Sequence, residues 1–327
     1  MKTTRSKILI LTGVIMFVLS ILLFNMAHVS AADTSKQPTT YTTKDGMWQY
    51  QVVDSTSKTV RLVKFLSGKK SDYKSTFSIP STIVSKKGVK YTVSEITGSR
   101  EWDKELEDYY YYPIFDTTLI INGIDGEYEE CYADNIHKIV IPSSVTKIGV
   151  GAFYELSISE VSFNSGSKCK EIGDSAFCNN QIEKITLPAS LTFIGDGAFG
   201  YNALLKITLP AGLTSIEDYA FFNNFLTGIT IPANVTKIGD SAFGGNCDMK
   251  TVKFANGCKC TSIGDSAFSG VAVTKLNIPG KVTKIGEGAF SGCSELTSLT
   301  MPASVRSLGA GFIDGCDKLK SFKILPG

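Results

Sequence analysis

Histidine is nearly missing from this chain: among its 327 residues there are two, His28 and His137. A Ser-His-Asp or Cys-His enzyme needs a positioned imidazole between a nucleophile and an orienting group. With so few candidates, that chemistry has almost nowhere to sit. Paired-carboxylate hydrolysis stays open, because sequence does not measure the separation of two acids, but no pair stands out. An excess of one charge is missing too, with 33 Lys+Arg against 31 Asp+Glu. Without residues 1–31, which hold Lys2, Arg5 and Lys7 and no acid, Lys+Arg falls to 30 against 31, a net charge near −1. A near-neutral balance gives no electrostatic footprint for nucleic acid or an anionic membrane, and both are set aside as partners. Metal motifs are missing as well. Cys258-Lys-Cys260 lacks the spacing and partner pair of a zinc site, and no glycine-rich calcium nonapeptide occurs. No cofactor and no catalytic residue are expected.

One long apolar run exists, Ile8–Phe24, and no second one of spanning length follows. Basic residues precede it and Val29-Ser30-Ala31 offers small residues for cleavage before Ala32, which is the layout of a secretory signal peptide over 1–31. The rival is an uncleaved anchor, since the run lies near the lower bound for a membrane span. A secreted or surface-associated protein is expected. No Leu-Pro-x-Thr-Gly sorting signal is seen, so the means of surface retention is not written here.

What the chain has in abundance is repetition. The isoleucine of an Ile-Gly pair recurs at Ile148, Ile172, Ile194, Ile216, Ile238, Ile263 and Ile285, and degenerately at Leu308. A fixed period in the low twenties marks a solenoid whose units bury their apolar face only by stacking. Apolar residues stand one, three and six before each proline, as in Leu187, Ile185 and Ile182, or Ile231, Ile229 and Leu226. The first two have the period-2 spacing of a strand. Val or Leu follows three past the proline (Val145, Leu191, Leu213, Val235, Val282, Val305), then Ile-Gly, then Ala-Phe at Phe153, Phe177, Phe199, Phe221, Phe243, Phe268 and Phe290. Eight past the isoleucine stand Asn180, Asn202, Asn224, Asn246, Cys293 and Cys316, where an amide can satisfy the backbone of a sharp corner.

The string Leu-x-x-Leu-x-Leu-Pro-x-x-Leu-x-x-Ile-Gly-x-x-Ala-Phe-x-x-Asn/Cys resembles the BspA-type branch of the leucine-rich repeats over 136–327. The resemblance implies a right-handed leucine-rich-repeat solenoid, with one parallel β-sheet face and short turns or helical turns opposite. It also implies a secreted or surface binding module associated with adhesion, and no catalytic residue.

Two copies lack the proline, Val161–Cys169 and Val252–Cys260, and carry a longer glycine-containing turn. Upstream, Phe77, Ile79 and Pro80 followed by Val93 and Ile96 read as a degenerate first coil over 75–96. Residues 32–44 are Ser/Thr/Lys/Gln-rich and read as a mobile leader. Trp48, Tyr50 and Val52, then Val60, Leu62 and Phe65, read as a β-hairpin over 45–74 that caps the first coil. Periodicity collapses over 97–135, an acidic and aromatic insertion from Glu101-Trp102 through Tyr109–Tyr112. It is either a degenerate coil with packed tyrosines, the preferred reading, or a functional loop.

Asp174, Asp196, Asp218, Asp240 and Asp265 form a column two before Ala-Phe. Turn capping by accepted N–H bonds is the better reading there than a calcium ladder. Of eight cysteines, Cys169, Cys260, Cys293 and Cys316 fall on core or corner columns and are expected to be buried thiols. Cys131, Cys178, Cys247 and Cys258 fall in turns or the insertion, where pairing is open. His137 lies in a column shared with Glu183, Thr227, Thr274 and Thr297, so a solvated side chain is expected.

The expected contact surface is the outward side of the strands. Two before the proline come Ser162, Thr186, Thr208, Thr230, Lys253, Asn277 and Thr300, and four before it Lys138, Lys184, Lys206 and Lys275. The competing explanation is that threonine suits strands and lysine keeps sheets soluble. The partner expected is an extracellular protein or glycan, with self-assembly as the alternative function. A monomer is favoured over a dimer through the C-terminal edge, where Lys318, Lys320 and Lys323 blunt the final strand.

Overall fold

The structure, a computed structural model, describes residues 39–66, 75–103, 108–112, 114 and 136–326. The expected signal peptide, most of the leader and most of the 97–135 insertion lie outside the described residues. The repeats belong to the larger of two compact units, Thr39–Ser99 with Tyr111–Gly327. Ser99–Asp103 and Asp108–Tyr112 form a two-stranded sheet of their own.

The β-branched, period-2 segments before each proline form the main sheet. Thr76–Ser78, Lys138–Ile141, Glu160–Phe163 and Lys184–Ile185 are parallel and in register, one repeat per strand. Gly228–Ile231 pairs with Thr251–Phe254, and Lys275–Asn277, Ser298–Met301 and Ser321–Ile324 complete the face. The coil with Phe77 and Ile96 takes its place as the first of the series: Thr76–Ser78 pairs with Lys138–Val140 and Ile96 with Ile148. Its added residues make a short strand, Thr82–Val84, folded back on Lys90–Ile96.

A second parallel ladder, which the strand pattern did not announce, uses two residues per coil. Lys147–Ile148, Glu171–Ile172 and Phe193–Ile194 pair in sequence, and so do Ser215–Ile216, Lys237–Ile238, Ser262–Ile263, Lys284–Ile285 and Ser307–Leu308. No helix occurs among the described residues. Instead of helical turns, the Ala-Phe segments bond coil to coil, with the Phe153, Phe177, Phe199 and Phe221 N–H groups donating to Ala176, Ala198, Ala220 and Ala242 carbonyls.

The core is a column of phenylalanines, Phe153 to Phe290, all fully buried. Successive rings lie 5.1 to 6.0 Å apart and within 15° of parallel, the offset stacking that aromatic quadrupoles favour. The corner Asn performs the bonding expected of it. Asn202 Nδ2 donates to Phe177 O of the preceding coil at 2.8 Å, and its Oδ1 accepts the Ile182 N–H at 3.0 Å. Cys169 and Cys260 are fully buried where other coils carry Val or Leu.

At the N-terminal end Trp48–Asp54 and Thr59–Phe65 form the expected hairpin, and Thr59–Leu62 runs parallel to Thr92–Ile96 of the first coil. Trp48, Phe65 and Phe77 pack at 4.8 to 6.0 Å between rings. Thr40–Thr42, expected in the leader, is instead a strand paired with Gln49–Gln51. Its alternation is too polar to read as a strand, but the hairpin edge supplies the partner.

Glycine follows the isoleucine in nearly every coil because the preceding coil crosses there. A Cβ at Gly239 would lie inside contact distance of the Asp218 backbone and carboxylate, and Gly264 and Gly286 are placed likewise. This approach lets the glycine N–H reach the isoleucine carbonyl one coil back, as from Gly239 to Ile216 and from Gly195 to Ile172, both 2.8 Å. At one coil the residue is Glu217, and no such bond to Ile194 forms. There the second ladder is interrupted between Phe193–Ile194 and Ser215–Ile216, and Lys206–Leu209 of the same coil is not a strand. The interruption coincides with the one residue that carries a side chain at this crossing, while the Ala-Phe turns of the same two coils stay bonded, Phe199 N–H to Ala220 O at 2.9 Å. The main sheet also lapses between Phe254 and Lys275, after the longer turn Ala255–Cys260.

Replacing Glu217 by glycine should close this gap. Native-state hydrogen exchange is expected to show a newly protected amide at position 217 and slower exchange at Ile207 and Leu209. Unchanged exchange at all three would assign the gap to something other than Glu217.

Candidate binding face

The outward face of the main sheet follows directly from the strand register. Because side chains alternate across a strand, residues four and two before the proline position point away from the core in every coil. In register these form two columns. One runs Lys138, Glu160, Lys184, and the other includes Thr230 beside Lys253 and Asn277 beside Thr300. Every residue expected on the contact surface falls in one of the two. Lys184, Thr186, Lys206, Thr208, Thr230, Lys253, Lys275 and Asn277 are exposed, while Lys138, Ser162 and Thr300 are half-buried.

The charges are not equivalent. Lys138 Nζ lies 2.6 Å from Glu160 Oε1 and is neutralised by it. Lys184, Lys206, Lys253 and Lys275 form no ion pair among the described residues. Two shallow grooves cross the face. The first lies between Glu160–Asn164 and Lys184–Ser190. The second lies among Lys206–Leu209, Thr227–Thr230 and Thr251–Lys253, over the coil that carries Glu217. Three further exposed lysines adjoin the second groove's coils, Lys250, Lys259 and Lys281. They stand five before the proline position or just past it, where turn lengths vary and no column marks them in the sequence.

The aspartate column lies on the turn side and does not build a metal site. Asp218 Oδ1 accepts the Asp240 N–H at 2.8 Å, and Asp240 Oδ1 accepts the Asp265 N–H at 2.8 Å. Each carboxylate caps the following coil, not its own turn. Among the described residues no group of three His, Cys, Asp or Glu side chains could hold a metal ion. Stacking acids in register has an electrostatic cost. Burial of the Asp196 carboxyl, with Asp174, Asp218 and Glu217 beside it, pushes its pKa up to about 6, and burial followed by Asp218 and Asp265 raises that of Asp240.

The cysteines in the described residues are all free. Burial pushes the Cys169, Cys178, Cys260 and Cys293 thiols up to about 12, which leaves them protonated and inert. Cys178 and Cys258, for which pairing was open, are buried, and Cys247 is exposed. Cys131 lies outside the described residues. His137 is exposed, with its carbonyl accepting from the Ser159 hydroxyl.

The model of the BspA type leucine rich repeat region matches residues 127–249 and 215–326, in six copies. The chain belongs to this family. Among solved structures it is similar to the pneumococcal vaccine antigen PcpA, at 21% identity over 89% of this chain and 82% of that one, with a TM-score of 0.54. It is also similar to a leucine rich cell surface protein from Faecalibacterium prausnitzii, at 19% identity over 90% and 97% of the two chains, with a TM-score of 0.43. A leucine-rich repeat protein from Eubacterium ventriosum matches at 18% identity over 88% and 78%, with a TM-score of 0.44. No curated protein matches the chain. The PcpA likeness supports the fold of the repeat family and no more.

The Asp196 carboxyl gives the repeat stack a pH dependence. Its folded pKa lies above its unfolded one, so the folded state holds an extra proton between about pH 4 and pH 6, and stability falls as pH rises through that window. Asp196→Asn keeps the acceptor for the Asp218 N–H and removes the charge. Its denaturation midpoint should exceed that of the wild type at pH 7.5 and match it near pH 4. The flanking coils crowd the Asp196 carboxyl, yet the residue keeps part of its surface in water, so solvent screening should hold the gain below about 1 kcal/mol. A gain that is equal at both pH values would show that the charge is not its source.

Proposed function

We propose that this protein is a secreted or surface-exposed recognition module that binds a macromolecular ligand on the outward face of its main sheet. The observation that carries this reading is the contrast between the two sides of the strands. Inward positions repeat the same few apolar residues from coil to coil, whereas outward positions vary and present Lys184, Lys206, Lys253 and Lys275, which form no ion pair among the described residues. Structural need accounts for the inward columns and leaves the outward lysines unassigned. With strands about 4.8 Å apart, eight coils present a face on the order of 40 Å long, a scale suited to a polymer or protein surface. Family membership and the secretory layout of residues 1–31 support an extracellular setting.

Charge reversal at Lys184 and Lys206 together tests the assignment. Binding to immobilised extracellular-matrix and bacterial-surface components, read by surface plasmon resonance, should fall at least about tenfold, the equivalent of 1.4 kcal/mol, while circular dichroism stays unchanged. Unaltered binding with an intact fold would move the site to the 97–135 insertion.

Self-assembly is the second reading, favoured by one observation. Ser321–Ile324 pairs on one side only among the described residues, and Leu308, Phe322 and Ile324 are exposed there, the last at 63%. Exposed edge strands add to other chains unless blunted, and Lys320 precedes this one while Lys323 lies within it. A concentration-independent monomer is expected in sedimentation. A dimer that dissociates on replacing Phe322 and Ile324 by lysine would overturn that.

A further inference from the structure

Net charge conceals how this molecule distributes its acids and bases. From Leu205 onward, the positions five, four and two before the proline in each coil hold lysine, threonine, serine, asparagine, glycine and one leucine, with no aspartate or glutamate. The acids of the same coils stand at other positions. Asp218, Asp240 and Asp265 line the turns, each bonded to a backbone N–H, Glu217 and Glu295 pair with Lys237 and Lys318, and Asp248 is exposed two residues before Lys250. Lysines concentrate on two adjacent coils, where Lys250, Lys253, Lys259, Lys275 and Lys281 are all exposed. Lys259 Nζ donates to the neutral Asn234 Oδ1 at 2.9 Å, and none of the five forms an ion pair among the described residues. Lys206 extends the row two coils back, roughly 10 Å along the stack at the usual strand spacing.

We infer that this face binds a linear, sulfate- or phosphate-bearing polysaccharide laid along the coil stack. The inference rests on the recognition reading above and names the ligand chemistry for it. Charge complementarity favours a polyanion, since the lysines recur at one- and two-coil steps that an extended chain of anionic groups can follow. Two other polyanionic or acidic partners fit less well. Single-stranded nucleic acid relies on aromatic platforms for its bases, and these outward positions carry no aromatic ring. Protein interfaces centre on buried Trp, Tyr, Met or Arg anchors, and none stands on this stretch of the face. Hydroxyl and amide groups at Thr208, Thr230 and Asn277 supply the hydrogen bonds that sugar hydroxyls and sulfate oxygens use.

The test measures binding of the purified protein to four immobilised probes across a salt series: a sulfated glycosaminoglycan, a phosphodiester-linked capsular polysaccharide, single-stranded DNA and poly-glutamate. At least one polysaccharide should bind more tightly than DNA and poly-glutamate, with affinity falling steeply as salt rises through counterion release. Which polysaccharide binds identifies the source, sulfate or phosphate ester. The triple variant Lys253→Ser, Lys275→Ser, Lys281→Ser should lose at least about tenfold in affinity and flatten the salt slope by two to three counterions. The corresponding triple arginine variant should retain binding. Lys86→Ser with Lys87→Ser, exposed but off this face, should change nothing. The inference is overturned if neither polysaccharide binds at low salt, if DNA or poly-glutamate binds as tightly, or if the two serine variants lose affinity equally. If the polysaccharides fail while reversal at Lys184 and Lys206 still abolishes capture of a protein component, the recognition reading stands and this inference alone falls.

Discussion

The step from one coil to the next is held by parallel backbone bonds on both ladders and around the Ala-Phe turn, and that spacing of about 4.8 Å constrains every other column. Phenylalanine rings stack at 5.1 to 6.0 Å because the backbone sets them that far apart. An Asn amide spans one step, so it can bond its own coil and the preceding one together. A carboxylate at the aspartate position reaches the next amide for the same reason. Where two backbones cross most closely the residue must lack a Cβ, and the one coil with Glu217 in that place loses its ladder to the preceding coil.

Much of this was legible because the constraint acts on residues that repeat. The Ile-Gly, Ala-Phe and Asn columns are recognisable by period alone, and the buried set matches them, from Val145 and Ile148 to Cys293 and Leu296. What escaped notice lies where the pattern is short or the partner is distant in sequence. Two residues such as Lys147-Ile148 are too few to display alternation, so the second ladder could not be read as strand. The Asp240 carboxylate serves an N–H 25 residues later, which turn chemistry within one repeat does not foresee. Glu217 was visible as a departure from glycine, but its effect depends on a crossing that only the stacked coils display. Among the lysines of the face, those in the strand columns were legible and those in turns of variable length, Lys259 and Lys281, were not.

Stacking also sorts charge. A repeat that writes aspartate at a fixed place and lysine at another turns each into a stripe, and stripes on different sides give a near-neutral chain two unlike surfaces. Along the acidic stripe burial, with repulsion between neighbours added, raises the pKa of Asp196 and Asp240, and bonds from backbone amides to the carboxylates offset part of this. On the basic side Lys184, Lys206, Lys253 and Lys275 have no acidic partner among the described residues. Arguments from total charge therefore miss the property most relevant to what this molecule can hold.

The corner column changes character along the chain. Asn180 makes five hydrogen bonds to backbone groups, whereas Cys293 and Cys316 each contribute one long S–H bond to a phenylalanine carbonyl, at 3.4 and 3.3 Å. In a stack where each unit is stabilised mainly by its neighbours, weaker corners lower the coupling between successive coils. By the corners alone the stack is graded, with more bonds to break at Asn180 than at Cys293 or Cys316. A pulling force applied across a corner would meet a knot at Asn180 and a single thread at the cysteines.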